Sequence, residues 1–205
     1  MACDLSKKNE HLAESEAKNF VLASTSPYRA RLLSRLALPY HCIDPAIEET
    51  PYLNEPPHAL ALRLAIAKAQ TPRAPSNSWT LGSDQVLDYK GDILGKPRSR
   101  KRAVQQLAMC SGEEVIFYTG VCLSNRSADH CESRVIETRV QFRMLSARDI
   151  DNYVDREPAF DCAGSFKVEG LGISLFTQIV SPDPTALEGL PLISVCSMLR
   201  SADLL

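Results

Sequence analysis

At 205 residues with a formal net charge of −2, the chain is long enough for one substantial core and too nearly neutral for nucleic acid to be its main partner. Its seven cysteines form no Cys-x-x-Cys pair and its four histidines are scattered, so a disulfide scaffold and a zinc site are both disfavoured. No apolar run reaches the ~18 residues of a membrane span, which leaves a small cytosolic protein, cytoplasmic in location, with no membrane partner.

Residues 1–19 are polar and charge-rich and lack the apolar centre of a signal peptide; they read as a flexible tail ahead of one domain over 20–205. Phe20-Val21-Leu22-Ala23 then reads as a short buried strand running into the hydroxyl-rich turn Ser24-Thr25-Ser26 and a helix over 27–37. Ser26 suits the N-cap, and Pro27 suits the first helical position, where its missing N–H costs nothing. Free amides at such a helix start, with Arg29 in the first turn, make an anion site, although an ordinary capped helix has the same pattern.

Glu48 and Glu49, just before Thr50-Pro51, put a carboxylate pair in a loop, as consistent with a solvated acidic turn as with metal ligation. A helix over 57–70 carries Leu60, Leu64 and Ala67 as an apolar stripe and also carries Lys68, which on local grounds is a surface lysine. Trp79-Thr80-Leu81 opens a strand near 79–87, and Leu81-Gly82-Ser83-Asp84 sets a carboxylate on what reads as the end of its hydrophobic part. Gly82 and Ser83 look small enough to let a ligand approach the backbone; a lone Asp after Gly-Ser is otherwise a turn cap.

After a turn at Tyr89-Lys90-Gly91-Asp92, Ile93-Leu94-Gly95-Lys96-Pro97 places Lys96 at the end of a short hairpin strand that Pro97 stops. Arg98-Ser99-Arg100-Lys101-Arg102 reads as the solvated first turn of a helix over 99–110, with Gly112 as its stop. Strands near 115–123 and 133–142 flank a hairpin loop over 125–130. A helix over 146–154, opened by a capping-box pattern at Ser146 and Asp149, a strand near 172–179 and a helix over 188–200 complete an α/β pattern without repeats. One acid at a strand, faced by several cations, suggests chemistry on a polyphosphate.

The segments Leu22-Ala23-Ser24-Thr25-Ser26-Pro27-Tyr28-Arg29, Glu48-Glu49-Thr50-Pro51, Arg63-Leu64-Ala65 with Lys68-Ala69, Gly82-Ser83-Asp84-Gln85, Gly95-Lys96-Pro97, Tyr118-Thr119-Gly120 and Gly189-Leu190-Pro191-Leu192 occur in one order. In that order the chain resembles the Maf family of nucleotide pyrophosphatases, and the likeness spans nearly everything from Phe20 to Arg200. It is similar to the 7-methyl-GTP branch through Ser26-Pro27-Tyr28, Ser83-Asp84-Gln85-Val86 and Ala163-Gly164-Ser165-Phe166-Lys167-Val168-Glu169-Gly170.

The resemblance implies a mixed, strongly bent sheet flanked by helices, two lobes around a deep cleft in an inosine triphosphatase-like architecture, often assembled as a homodimer. It implies hydrolysis of a nucleoside triphosphate between the α and β phosphates, with a divalent metal cation, Mg²⁺ or Mn²⁺, held by Glu49 and Asp84. Asp84, Lys96 and Lys68 are then catalytic, with Asp84 either deprotonating the attacking water or holding the metal whose water attacks. Ser24, Ser26 and Arg29 bind phosphates.

Tyr28, Gln85 and Glu169 set the base, since the wider family commonly has arginine in place of Tyr28 and glutamine in place of Glu169. N7-methylguanine is cationic; an aromatic face and a carboxylate attract it. Two other readings stay open: a pyrophosphatase for dTTP, UTP or another modified nucleotide, and a nucleotide-binding regulator of cell division.

Overall fold

The computed structural model describes residues 20–205; the expected tail over 1–19 lies outside the described residues. Seven strands form one mixed sheet in the order β2-β1-β3-β5-β6-β7, with β4 paired to β3 off that path. β1 (Phe20–Ala23) is buried throughout and runs parallel to both β2 (His41–Ile43) and β3 (Trp79–Tyr89). An apolar run buried on both faces is what a parallel sheet requires. β2 was not expected, because three largely exposed residues at a sheet edge leave no alternation to detect.

The position of the cleft follows from how β3 is paired. On one edge, β5 (Glu114–Asn125) covers residues 80–88 in antiparallel register. On the other, β1 covers 79–81 and β4 (Asp92–Leu94) covers 87–89, so the edge over 82–86 has no strand beside it. The sheet is split there. β6 (His130–Phe142) and β7 (Phe176–Val180) continue it antiparallel on the far side.

Asp84 therefore stands in the middle of an 11-residue strand, not at a strand end as the sequence suggested. Gly82 is small for a different reason from the one expected: a Cβ there would run into the Ala65 carbonyl, and one at Gly120 into that of Ala61. Both belong to α2 (Pro57–Ala69), which lies against β3 and β5 with Leu60, Ala61, Leu64 and Ala65 buried. The glycines let this helix descend onto the sheet. Ser83 is fully buried, its hydroxyl donating to the Gly120 and Gly189 carbonyls at 2.8 and 3.0 Å.

The opposite face of β3 holds two separate cores. Leu81 packs with Leu32 and Leu33 of α1 (Pro27–Ser34) and with Val195, Met198 and Leu199 of α5 (Leu192–Ser201). Leu87 packs with Ala103 and Leu107 of α3 (Arg100–Cys110), Ile150, Tyr153 and Val154 of α4 (Ala147–Arg156), and Phe117, Phe142 and Phe166. At ~1.5–3 kcal/mol per buried aliphatic or aromatic side chain, each core holds its own lobe, and the long β3 and β5 strands join them. Among the described residues no helix is long and apolar enough to cross a membrane.

Two elements start four residues later than the sequence reading placed them. The strand expected over 172–179 starts at Phe176, because Gly172 N–H donates to Lys167 O and Glu157 Oε2 and curls residues 171–175 into a 3₁₀ turn. The last helix starts at Leu192, since Gly189 takes a left-handed φ of 107° and ends a separate turn over Ala186–Glu188. The capping box at Ser146 and Asp149 is present as expected.

Candidate active site

A cavity of about 580 Å³ follows the open edge of β3, lined by Ser24, Arg29, Glu49, Lys68, Asp84 and Lys96 among others. At one wall β1 ends and the chain turns through Ser24, whose hydroxyl accepts from the Ser26 amide at 3.1 Å. The Ser26 hydroxyl caps α1 by accepting from the Arg29 amide, with Pro27 opening the helix. The predicted turn and cap are thus in the cleft. Arg29 is half-buried and donates from Nε to the Gly189 carbonyl at 2.9 Å; the two terminal nitrogens of its guanidinium have no hydrogen bond among the described residues. Burial pushes the Arg29 pKa down while Asp84 and Glu49 pull it back up, and an arginine so placed stays charged.

The centre of the site is a shared ammonium. Lys68 is 5% exposed, and its Nζ stands 2.6 Å from Glu49 Oε1 and 2.6 Å from Asp84 Oδ1. Local sequence made Lys68 a surface lysine; α2, lowered onto Gly82 and Gly120, brings it over the middle of β3 instead. The second oxygens of Glu49 and Asp84 have no hydrogen-bond partner among the described residues. Burial would raise the Glu49 carboxyl, but Lys68, Lys96 and Arg29 together outweigh it and hold the group below its usual range. Glu48, its neighbour, is turned to Thr50.

Lys96 enters from the other lobe. It follows β4 by two residues, is exposed, and has no ion pair among the described residues. Its loop is tied down by Gln106, whose amide donates to Gly95 O at 2.8 Å and whose carbonyl accepts from Ser165 Oγ at 2.5 Å. Arg98, read from sequence as part of a solvated cluster, lines the cleft: a left-handed φ of 58° and a bond from its amide to Phe160 O turn it away from α3. Its neighbour Arg100 does face solvent, paired with Asp151 and Asp155.

The residues expected to read the base are together, but not as imagined. Tyr28 donates its hydroxyl to Asp161 Oδ2 at 3.1 Å, and its ring already has Lys167 Nζ at 5.4 Å and the Arg31 guanidinium at 5.7 Å from its centroid. The ring expected to meet a cationic base thus lines the cleft with two cationic side chains of the protein already near it. Arg31 also binds Glu169 Oε1 at 3.2 Å. The i, i+3 spacing of Tyr28 and Arg31 on one helix was the available signal for the contact between those two. Gln85 gives its amide to Ala186 O at 2.9 Å, Leu187 O at 3.2 Å and Thr119 Oγ1 at 3.1 Å, so it supports the turn over Ala186–Glu188. Glu188 on that turn lines the cleft and was not singled out in the sequence.

Residues 19–202 match the family described as Maf-like protein. The chain is 49% identical over 183 residues to the 7-methyl-GTP pyrophosphatase of Nitrosococcus oceani, covering 89% of this chain and 92% of that one. It is 46% identical over 184 residues to the protein of the same name from Vibrio vulnificus, covering 90% and 95%. Among solved structures, the Staphylococcus aureus Ham1 protein overlays 63% of this chain and 73% of its own at 18% identity and a TM-score of 0.42. A nucleoside-triphosphatase / dITP/XTP pyrophosphatase from Mycobacterium abscessus overlays 90% and 96% at 15% identity and a TM-score of 0.40.

Proposed function

The chain belongs to the Maf family, and on that footing we propose that it hydrolyses 7-methyl-GTP to 7-methyl-GMP and pyrophosphate, removing a modified nucleotide from the pool. The observation that carries this is the convergence of Glu49 and Asp84 on Lys68, at 2.6 Å each, in a cleft also lined by Arg29, Lys96 and Arg98. A triphosphate brings about four negative charges, and Arg29, Lys96 and Arg98, which have no ion pair among the described residues, are the cations that meet it.

In this reading the Ser24 to Ser26 turn and Arg29 grip phosphate oxygens, and Lys68 orients Asp84 through Oδ1. The free Oδ2 takes a proton from a water aimed at the α-phosphorus. As the water oxygen bonds to phosphorus, the bond to the bridging oxygen breaks and its electron pair leaves with pyrophosphate. Lys96 stabilises the charge on that leaving group. The unbonded oxygen of Glu49 is a hard donor that would hold Mg²⁺ or Mn²⁺ together with substrate oxygens, no three acidic, His or Cys side chains clustering among the described residues; were Asp84 Oδ2 to join it as a ligand, Asp84 would not be the base. A bound cation supplies charge neutralisation at the phosphates.

Pyrophosphate release from 7-methyl-GTP, GTP, UTP and dTTP, each with Mg²⁺, with Mn²⁺ and with chelator, tests the proposal. The expected result is cation-dependent turnover of 7-methyl-GTP well above the others. Preference for UTP or dTTP would overturn the substrate, and binding without turnover of any triphosphate would favour a regulator.

A further inference from the structure

Glu188 is held in place more firmly than its position in a short turn would suggest, yet its own side chain has no partner among the described residues. The carbonyls around it are anchored to the sheet: Ala186 O accepts from Thr119 Oγ1 at 3.0 Å and from Gln85 Nε2 at 2.9 Å, and Leu187 O accepts from Gln85 as well. Gly189 O accepts from Arg29 Nε at 2.9 Å and from Ser83 Oγ at 3.0 Å. Between these fixed points Glu188 is half-buried and lines the cleft, and its carboxylate has no hydrogen bond or ion pair among the described residues.

Its partner across the base end is already engaged. Glu169 Oε1 is 3.2 Å from Arg31 Nη2, and both Arg31 and Lys167 stand over the Tyr28 ring. With cations already beside the aromatic ring and Glu169 paired through one oxygen, Glu188 adds a carboxylate whose side chain has no partner among the described residues. Burial and the nearby Glu169 charge both push its carboxyl up, with Arg35 and Arg31 only partly opposing them. Two carboxylates that repel each other across a cleft are relieved by a cation between them.

Resting on the proposed activity, we propose that Glu188 is a specificity-determining residue of this enzyme: its carboxylate binds the cationic N7-methylated purine and accepts from the guanine N1 and N2 donors, a role shared with Glu169. Because the turn is tied to Arg29 through Gly189, the same rigid segment measures the distance from base to phosphate. The positive charge of the methylated ring makes Glu188 count for more with 7-methyl-GTP than with GTP.

The test compares kcat and KM for 7-methyl-GTP and GTP in the wild type, Glu188→Gln and Glu188→Asp, with thermal midpoints as a folding control. Glu188→Gln should lower kcat/KM for 7-methyl-GTP about tenfold, mostly through KM, and that for GTP by a distinctly smaller factor, while Glu188→Asp retains part of the preference. A wild type without preference for 7-methyl-GTP overturns the substrate reading and this proposal with it. A wild type with the preference, matched by an unchanged preference in Glu188→Gln, overturns this proposal alone, as does an equal loss on both nucleotides.

Discussion

Asp84 and Lys68 meet at 2.6 Å, one from the middle of β3 and the other from the last turn of α2, and the lysine is almost fully buried. A buried ammonium needs a charged partner, and Lys68 has two, Asp84 and Glu49. The same pair that positions Asp84 therefore also holds α2 to the sheet. The proposed chemistry and the stability are coupled at this point.

Asp84→Asn tests that coupling. The substitution should cut kcat by about 10²–10⁴, the usual contribution of a positioned base. It should also cost about 2 kcal/mol of stability by weakening a charged hydrogen bond to a buried lysine. Steady-state kinetics and denaturant unfolding check the two effects. Retained turnover would remove Asp84 from the mechanism.

Lys96→Gln should separate the two effects. Lys96 is exposed and has no ion pair among the described residues, so stability should change by no more than about 0.5 kcal/mol. Turnover should fall about 10²-fold with loss of charge stabilisation on the leaving group. Lys96 also helps hold Glu49 below the usual carboxylate range, so the acid limb of the kcat/KM profile should move to higher pH. A pH series on the variant reads this; an unmoved limb would mean that Glu49 does not govern it.

Gly120→Ala should destabilise the protein by at least about 1–3 kcal/mol, since the new methyl group collides with the Ala61 carbonyl and α2 must lift. Lifting α2 also withdraws Lys68 from Asp84, so activity should fall even in the folded fraction. Unfolding curves paired with activity per folded molecule measure both. An unchanged midpoint would contradict the close helix–sheet contact.

Acid stability has a defined window at Glu55. Arg63 binds it through Nε–Oε1 at 2.6 Å and Nη2–Oε2 at 2.7 Å and, with the Tyr52 amide, holds its carboxyl down to about 2 from an ordinary 4.5. A depressed carboxyl stabilises the fold fully above its unfolded pKa, and that stability is lost as pH falls through the folded value. Stability should therefore drop between about pH 4.5 and 2, and Glu55→Gln should flatten this part of the curve. Thermal midpoints across that range, wild type against variant, check the difference; parallel curves would show that the pair does not contribute.

What could be read from the chain depended on residues close in sequence. The Ser26 cap with Pro27, the Ser146 and Asp149 capping box, the buried run of β1 and the hairpin ahead of Lys96 each follow from a few adjacent side chains, because caps, turns and strand patterns are local. The family motifs drew Asp84, Glu49, Lys68, Lys96 and Arg29 into one expected site, and the cleft contains all five.

Tertiary structure decided how those residues work. Whether Asp84 ends a strand or centres one depends on β1 and β4 pairing with different parts of β3, and whether Lys68 is solvated or buried depends on two glycines receiving α2. Arg98 and Glu188 become cleft residues, Gln85 becomes a support, and the Tyr28 ring gains cationic neighbours, all through partners distant in the chain or visible only once a helix is built. Side-chain type and spacing carry local geometry, while charge environment and access are properties of everything packed around a group, and those exist only in the folded molecule.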